Sequence, residues 1–561
     1  VLVILAGVMA LYLFIASRSS LWDGDEPHFA QAAVEMAHSN PPNYLVPTFQ
    51  GKPRYDKPIL IYWLMVAGIK LLGVRELAVR LFSPIGTAVA CLGTYLMGRR
   101  LLGRSAALWA MLILPTTFML TMDGTAAVVD AVLLACITAA MLFLLRAAQG
   151  RATPANWLWL GLALGLALLT KGPVGLAVPL LAALGLAWFG GPAVRLGLRF
   201  WIGLTAATLL GLALFSAWGF WANSATHGDF LRVGIGDHVL NRMLAPKEGH
   251  GGNSLWTYIL LLPTYALVVI CFFLPWTLFL PGALSAVYHG RIGGGTGRAL
   301  LLGWIVPTFV LMSLVATKLP HYILPIWPAL ALAVAGTIEA AERHELPPHT
   351  LDWLRRGRTF FGLPALLLAA LLLVAPSALD ARYLQIPAGI TGVLVLAMTL
   401  GGLYFHHHQR YRASAVVLLT GMLAVQFSIA LLLLPAYEHY MLSPPIARAI
   451  RAQTAAAVPV TCYDYDQPSL TYYLGRIPTD LPHHDDPTTA DAAAVAHWTM
   501  LPGPGVLVIT RAKYDLLPAG LTADLTLLGS ARGINLNRRG EATELLALGR
   551  HLPPRPDAAR P

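Results

Sequence analysis

The sequence predicts a mainly α-helical, polytopic membrane protein with a small α/β domain outside the bilayer, and three observations carry that expectation. Of 561 residues, 57% are hydrophobic and only 12% charged, with a mean hydropathy of +0.63, far from the soluble globular norm. Apolar runs of the roughly 20 residues needed to cross about 30 Å of hydrocarbon recur as far as residue 441. Beyond that point the runs shorten and take on strand-like patterns.

About thirteen spans follow from the apolar runs, at 1–17, 76–98, 105–122, 125–145, 156–170, 172–190, 200–222, 255–283, 300–316, 320–338, 359–376, 385–404 and 413–435. Only Lys171-Gly172-Pro173 divides the fifth from the sixth. The first ends in Ala16-Ser17-Arg18-Ser19, a pattern also found at the end of a cleaved signal peptide; a retained helix that begins upstream of Val1 is the expectation.

Lys and Arg stay on the cytoplasmic side of short loops. Arg99, Arg100 and Arg104, Arg146 and Arg151, Arg195 and Arg199, Arg291 and Arg298, Arg343, Arg355, Arg356 and Arg358, and Arg410 and Arg412 all fall in alternate loops, whereas the opposite short loops hold Lys171, Lys318 and Arg382. The N-terminus is therefore expected inside, and the C-terminus outside together with the loop that follows the first span. The net charge of +11 is largely a product of this loop asymmetry and does not indicate a nucleic-acid partner. Cys91, Cys136 and Cys271 fall in spans and Cys462 stands alone in the tail, so no disulfide framework is implied.

The expected division is a transmembrane catalytic domain over 1–441, with outer loops 18–75 and 223–254, followed by an α/β domain over 442–561 whose end, 551–561, is disordered. Within the first loop, 27–38 and 59–72 have the spacing of helices lying along the membrane surface. In the tail, Ser443-Pro444-Pro445 should cap and open a helix over 446–453, with strands at 458–463, 506–510 and 525–528.

The outer loops hold the chemistry. Asp23, Asp25 and Glu26 crowd into Trp22-Asp23-Gly24-Asp25-Glu26-Pro27. One carboxylate would suffice to cap a helix opening at Pro27; three at a bilayer surface call for a proton, a cation or a developing positive charge, which makes Asp25 and Glu26 catalytic candidates. Arg54-Tyr55-Asp56-Lys57-Pro58, ahead of Tyr62-Trp63, has the makeup of an interfacial anchor, and also the cation beside an aromatic that a lipid phosphate needs. Asp130, about five residues into its span, needs a polar cavity or a partner, because a carboxylate at helix centre costs about 2.5 to 3.5 kcal/mol to insert. Asp123, in the preceding outer turn, is expected to be solvated. Lys171, Asp237-His238, Arg242, the segment Lys247-Glu248-Gly249-His250-Gly251-Gly252 and the segment Lys318-Leu319-Pro320-His321-Tyr322 share the outer face by topology, and so form a layer of carboxylates and phosphate-holding cations. His406-His407-His408 is expected to be a solvated cytoplasmic turn.

Taken in order, Asp25-Glu26, Tyr55-Asp56-Lys57-Pro58 with Tyr62-Trp63, Asp130, Leu169-Thr170-Lys171-Gly172, the 247–252 segment and Thr317-Lys318-Leu319-Pro320-His321-Tyr322-Ile323-Leu324-Pro325 resemble the bacterial aminoarabinose transferase family. That family is related to protein O-mannosyltransferases. The resemblance covers essentially the whole chain. It implies a C-type glycosyltransferase fold with a periplasmic C-terminal domain in a bacterial inner membrane. It also implies a polyprenyl (undecaprenyl) phosphate sugar as donor, lipid A or another envelope glycan as acceptor, and membrane lipids as surroundings. On this likeness Asp25 and Asp130 are the family's acidic positions, Lys57 holds the carrier phosphate with Arg242 as companion, and Tyr55 and Tyr322 line the lipid site. Lys171, His250, Lys318 and His321 complete the substrate-binding candidates. No cofactor is required; a divalent metal at Asp56 and His238 is the candidate exception. The chain departs from the family pattern at Asp56, where many members carry Glu, and at Ile59, where many carry a second Pro. An enzyme of the protein O-mannosyltransferase type and a transporter or flippase of lipid-linked sugars are the alternatives. The flippase would show polar residues through the bilayer depth and related halves, and here the charges gather at one face.

Overall fold

Two of the apolar runs are interrupted at prolines, while others hold a proline inside one continuous helix, as Pro307 does in Gly294–Leu314. In the computed structural model, which describes residues 1–241, 255–481, 489–535, 538 and 540–552, nine helices among the described residues are long and apolar enough to cross a membrane. They coincide with nine of the expected spans, from Glu76–Leu101 to Tyr411–Tyr440. The first span is Leu2–Ala16 and the fifth is Pro154–Lys171. The other two are broken. The run 105–122 divides into Arg104–Ile113, a 3-10 turn at Leu114–Thr116 and Phe118–Asp123; the run 255–283 divides into Leu255–Leu261, Thr264–Phe272 and Trp276–Leu278, leading into Leu280–Tyr288. Pro115, Pro263, Pro275 and Pro281 explain the breaks, because proline has no N–H to donate and its ring clashes with the preceding turn.

A broken helix inside hydrocarbon frees backbone groups that other parts of the protein must bond. The Tyr12 hydroxyl donates to the Pro115 carbonyl at 2.6 Å, and Gln426 Nε2 donates to the same carbonyl at 2.9 Å and to Thr121 Oγ1 at 2.7 Å. The Trp276 indole donates to Thr116 Oγ1 at 3.0 Å, and the Phe118 N–H to the Leu274 carbonyl at 2.9 Å.

The chain forms two units. One comprises Val1–Arg18, Met36–Pro47 and Pro53–Leu433; the other comprises Ser19–Glu35, Thr48–Lys52 and Leu434–Pro561. The second therefore takes in the acidic helix Asp25–His38 up to Glu35, which the division at 441/442 assigned to the membrane part.

In the membrane unit, 94% of an 18-residue apolar stretch of Pro320–Glu342 is buried, against 22% in Pro348–Ala378 and 28% in Leu198–Ala225, which makes the first a central helix and leaves the other two facing lipid. Trp276, Trp304 and Trp327 are fully buried in the core, with Phe273 edge-on to Trp327 at 5.6 Å. One close backbone approach joins Pro173–Gly190 to Gly294–Leu314: a Cβ on Gly185 would lie 2.3 Å from Gly303 Cα, so only glycine fits. Burial also corrects the reading of 406–408. His406 is enclosed between Phe279 and Tyr411, while His407 pairs with Arg358 at 2.5 Å. All four cysteines are free.

The second unit carries a five-stranded mixed sheet in the order Thr479–Asp480, Val460–Tyr463, Gly505–Thr510, Glu541–Arg550, Thr526–Asn535. Val460–Tyr463 runs parallel to its two neighbours, and Glu541–Arg550 runs antiparallel to both of its own. Gly505–Thr510 is buried along its whole length, Val506 and Val508 packing with Ile446 and Ile450 of the Ser443–Gln453 helix on one face and Leu507 and Ile509 with Trp498 on the other. Ser443 opens that helix without capping it by its side chain; its hydroxyl instead meets Tyr465 at 2.8 Å and Ser469 at 2.6 Å. The strand Glu541–Arg550 was not foreseen, because its apolar run, Leu545-Leu546-Ala547-Leu548, lacks the β-branched and aromatic residues that mark a strand.

Gly185→Leu should overpack the glycine contact and destabilise the protein by about 1–3 kcal/mol, read as a lower thermal midpoint of the full chain in detergent.

Candidate active site

Helix-end chemistry places the charged groups of the membrane unit. Asp130 is the first residue of Asp130–Ala148, where a carboxylate meets the positive end of the helix dipole; the helix starts five residues later than the span that begins near Thr125. Lys171 ends Pro154–Lys171, where a cation meets the negative end, and Gly172 at φ +65° turns the chain so that Pro173 opens the next helix. The two ends meet. Lys171 Nζ lies 2.6 Å from Asp130 Oδ1, with the side chains 10% and 7% exposed. The 3-10 segment Pro320–Ile326 brings Tyr322, whose ring centroid is 4.9 Å from the Lys171 ammonium, and His321, whose ring lies edge-on to Tyr322 at 5.1 Å. His321 and Lys57 add positive charge within electrostatic reach of Asp130.

Tyr55, Asp56, Lys57, Lys171, His321 and Tyr322 line one cavity of about 190 Å³. Its remaining wall is largely apolar, with Leu133, Val174, Phe215, Phe230 and Pro325 prominent. A space with cations and hydroxyls at one part and hydrocarbon at the rest suits an anionic headgroup that carries a greasy tail. Tyr55 faces Thr226, Asp229 and Arg232, and its hydroxyl is pushed above the usual phenol range, mainly by burial. Phe215 and Phe230 escaped sequence reasoning because an aromatic lining a pocket has the same local signal as one facing lipid.

The other expected residues have different surroundings. Lys318 is buried, donating to the Met312 carbonyl at 3.3 Å and to that of Ser313, with its ammonium 5.5 Å from the Tyr265 ring centroid; it holds the end of Gly294–Leu314. Asp56 pairs with Arg54 at 2.6 Å. His238 belongs to the π-helix Phe230–Asn241, its side chain falling outside what is described, and Arg242 and His250 lie outside the described residues. Among the described residues no group of three His, Cys, Asp or Glu side chains gathers as a metal site would. Asp123 is not solvated as expected: its Oδ2 is buried without a hydrogen-bond partner among the described residues, and it feels the charges of Asp130 and Lys171.

In the second unit the three acidic residues have separate fates. Gly24 at φ +122° turns the chain ahead of Asp25–His38. Glu26 is buried and accepts the Trp22 N–H at 2.9 Å, closing its own turn. Asp23 accepts the Ser469 N–H at 3.1 Å and so caps a different helix, Pro468–Leu474 of the tail. Burial pushes the Asp23 carboxyl up to about 6, helped by the charges of Asp466 and Glu26 and opposed by the Ser469 donors. Asp25 is exposed, and no hydrogen bond or ion pair among the described residues engages its carboxylate.

Comparison with known proteins bears directly on this arrangement. The undecaprenyl phosphate-alpha-4-amino-4-deoxy-L-arabinose arabinosyl transferase of Edwardsiella ictaluri is 31% identical to the chain over 431 residues, 74% of each protein. The chain belongs to this arabinosyl transferase family. A second member of the arabinosyl transferase family, from Proteus mirabilis, is 30% identical over 58% of the chain and 56% of its own length. A family model described as dolichyl-phosphate-mannose-protein mannosyltransferase matches residues 56–221, the stretch that holds Asp56, Lys57, Asp130 and Lys171. The fold is that of ArnT from Cupriavidus metallidurans, solved bound to undecaprenyl phosphate: TM-score 0.75 at 19% identity, covering 97% of both chains.

Lys171→Ala should leave Asp130 buried without its partner and cost about 3–5 kcal/mol, read as a thermal midpoint in detergent; Asp130→Asn with Lys171→Met should recover much of that loss. Folding favours the protonated form of Asp23, so its share of stability should fall as pH rises from 3.8 to about 6 and stay level above, a slope that Asp23→Asn removes from a pH series of thermal midpoints.

Proposed function

We propose that the chain is a membrane glycosyltransferase that moves a sugar from undecaprenyl phosphate to an envelope acceptor, lipid A, at the periplasmic face of a bacterial inner membrane. The cavity that joins Lys57, Lys171, His321 and Tyr322 to an apolar wall carries this reading, because a polyprenyl phosphate presents the same two chemistries. Membership of the arabinosyl transferase family supports a 4-amino-4-deoxy-L-arabinose donor.

In the reaction an acceptor oxygen attacks the anomeric carbon and the bond to the carrier phosphate breaks, with inversion at that carbon. Lys57 takes the phosphate charge as undecaprenyl phosphate leaves, with Arg242 as its companion and His250 as a further substrate-binding residue. Tyr55 and Tyr322 line the path of the lipid, and Lys171 pairs with Asp130 beside the cavity. Asp25 is the carboxylate left unengaged by the fold. It takes the proton if the acceptor is a hydroxyl; with a lipid A phosphate, already ionised, it orients the acceptor or stabilises oxocarbenium charge. Asp56 is charge-matched by Arg54, so no step is routed through a metal held there with His238.

The test combines purified protein in detergent, undecaprenyl phosphate aminoarabinose and lipid A, and follows the acceptor by mass spectrometry. Transfer should occur without a second membrane leaflet; an inert preparation under these conditions, together with transbilayer movement of donor in vesicles, supports a flippase instead. Asp25→Asn should lower turnover by roughly 100-fold or more with normal expression and donor binding. Lys57→Ala should weaken donor binding roughly 10- to 100-fold.

A further inference from the structure

Residues 20–24 have no regular structure of their own, and fixing each costs about 1–2 kcal/mol of backbone entropy. Two elements of the tail unit hold them. At the end of the last span, Glu438 accepts both the N–H and the hydroxyl of Ser20 at 2.6 Å, and Tyr437 stacks on Trp22 with ring centroids 4.6 Å apart and planes 5° from parallel. From the Pro468–Leu474 helix, the Tyr473 hydroxyl accepts the Leu21 N–H at 2.7 Å and the Ser469 N–H reaches Asp23 at 3.1 Å. Leu21 is fully buried. The second strip of this loop is tied to the same helix, Gln50 donating to Thr471 Oγ1 at 2.9 Å, and is joined to the first by Glu35, which accepts from Thr48 at 2.7 Å and from the Gln50 N–H at 2.7 Å.

We propose that the C-terminal α/β domain is the positioning element for the acidic loop, with Glu438 and Tyr473 as positioning residues that fix residues 20–24 and thereby hold the Asp25 carboxylate in one orientation. The bonds are unequal to a mere spacer role. A carboxylate that takes two donors of one residue makes charge-assisted bonds, about twice as strong as neutral ones, and it does so across 418 positions of sequence. The contacts made by Tyr437, Glu438, Ser469 and Tyr473 land on Ser20, Leu21, Trp22 and Asp23, within five residues of Asp25, and none of them engages Asp25 itself. The tail thus orders the approach to the acid while leaving the acid open. This inference rests on the proposed role of Asp25 in turnover.

The test uses the full chain in detergent, with undecaprenyl phosphate aminoarabinose as donor and lipid A as acceptor, and measures kcat, donor KM and amide hydrogen exchange on the same samples. Glu438→Ala and Tyr473→Phe should lower kcat about 10-fold or more at a donor KM within about 2-fold of wild type, since small misplacements of a reacting group act on the chemical step. Both should speed exchange at residues 20–24 and leave the central strand 505–510 as protected as in wild type. Glu438→Gln, which keeps one acceptor oxygen, should restore most of kcat. Wild-type exchange at 20–24 in both variants, or faster exchange with wild-type kcat, overturns the proposal. If Glu438→Ala does not fold, Tyr473→Phe, which loses one hydroxyl, decides alone. Asp25→Asn is the separate control: wild-type turnover there removes the catalytic reading of Asp25, whereas the exchange data still report whether the tail holds the loop.

Discussion

A carboxylate and an ammonium meeting at 2.6 Å, both nearly shut off from solvent, set the plan of the membrane unit. Neither charge could stay in that place alone, since an unmatched ion in a low-dielectric interior is strongly unfavourable. The pairing needs Asp130 at the start of one helix and Lys171 at the end of another, so it fixes where both stop and how they lie together. Gly172 and Pro173 then turn the chain at once into the next helix, and the His321 and Tyr322 segment packs against the ammonium. The cavity is what remains when these ends converge. The same logic governs the proline breaks, where Tyr12, Gln426 and Trp276 bond groups that lipid could not.

The acidic knot shows a division of labour that residue type alone conceals. Three carboxylates within four residues look interchangeable, yet one ties its own turn, one caps a helix of the tail, and one is left open. Their surroundings separate them: Glu26 is buried, Asp23 is half-buried and hydrogen-bonded to Ser469, and Asp25 is exposed. A cluster of acidic residues can therefore be mostly scaffolding, with a single carboxylate left open.

Much of this was legible in the sequence, and for identifiable reasons. Apolar run length marks a span, so most of the helices were foreseen, while the interruptions at Pro115 and Pro275 needed the meaning of proline read inside an apolar run. Tyr55, Lys57, Lys171, His321 and Tyr322 were foreseen together because polar groups at one membrane face have few other reasons to be there. Lys318 shares that face and that motif, but its ammonium satisfies backbone carbonyls; sequence gives no direction for a side chain. Asp123 was read as solvated because loop position does not reveal burial. The tie between residues 20–23 and a domain more than 400 positions later leaves no local trace, since Ser20, Glu438 and Tyr473 are each unremarkable polar residues in their own segments.

The loop-to-tail bonds have an evolutionary consequence. Because Ser20 and Leu21 are read by Glu438 and Tyr473, the tail is not an independent cassette that recombination can replace at the end of the last span. A graft from a distant relative would bring its own contact set and meet a foreign first loop. Inheritance should therefore keep the two stretches together, and a workable chimera would have to transplant residues 19–35 and 48–52 along with everything from 434 onward.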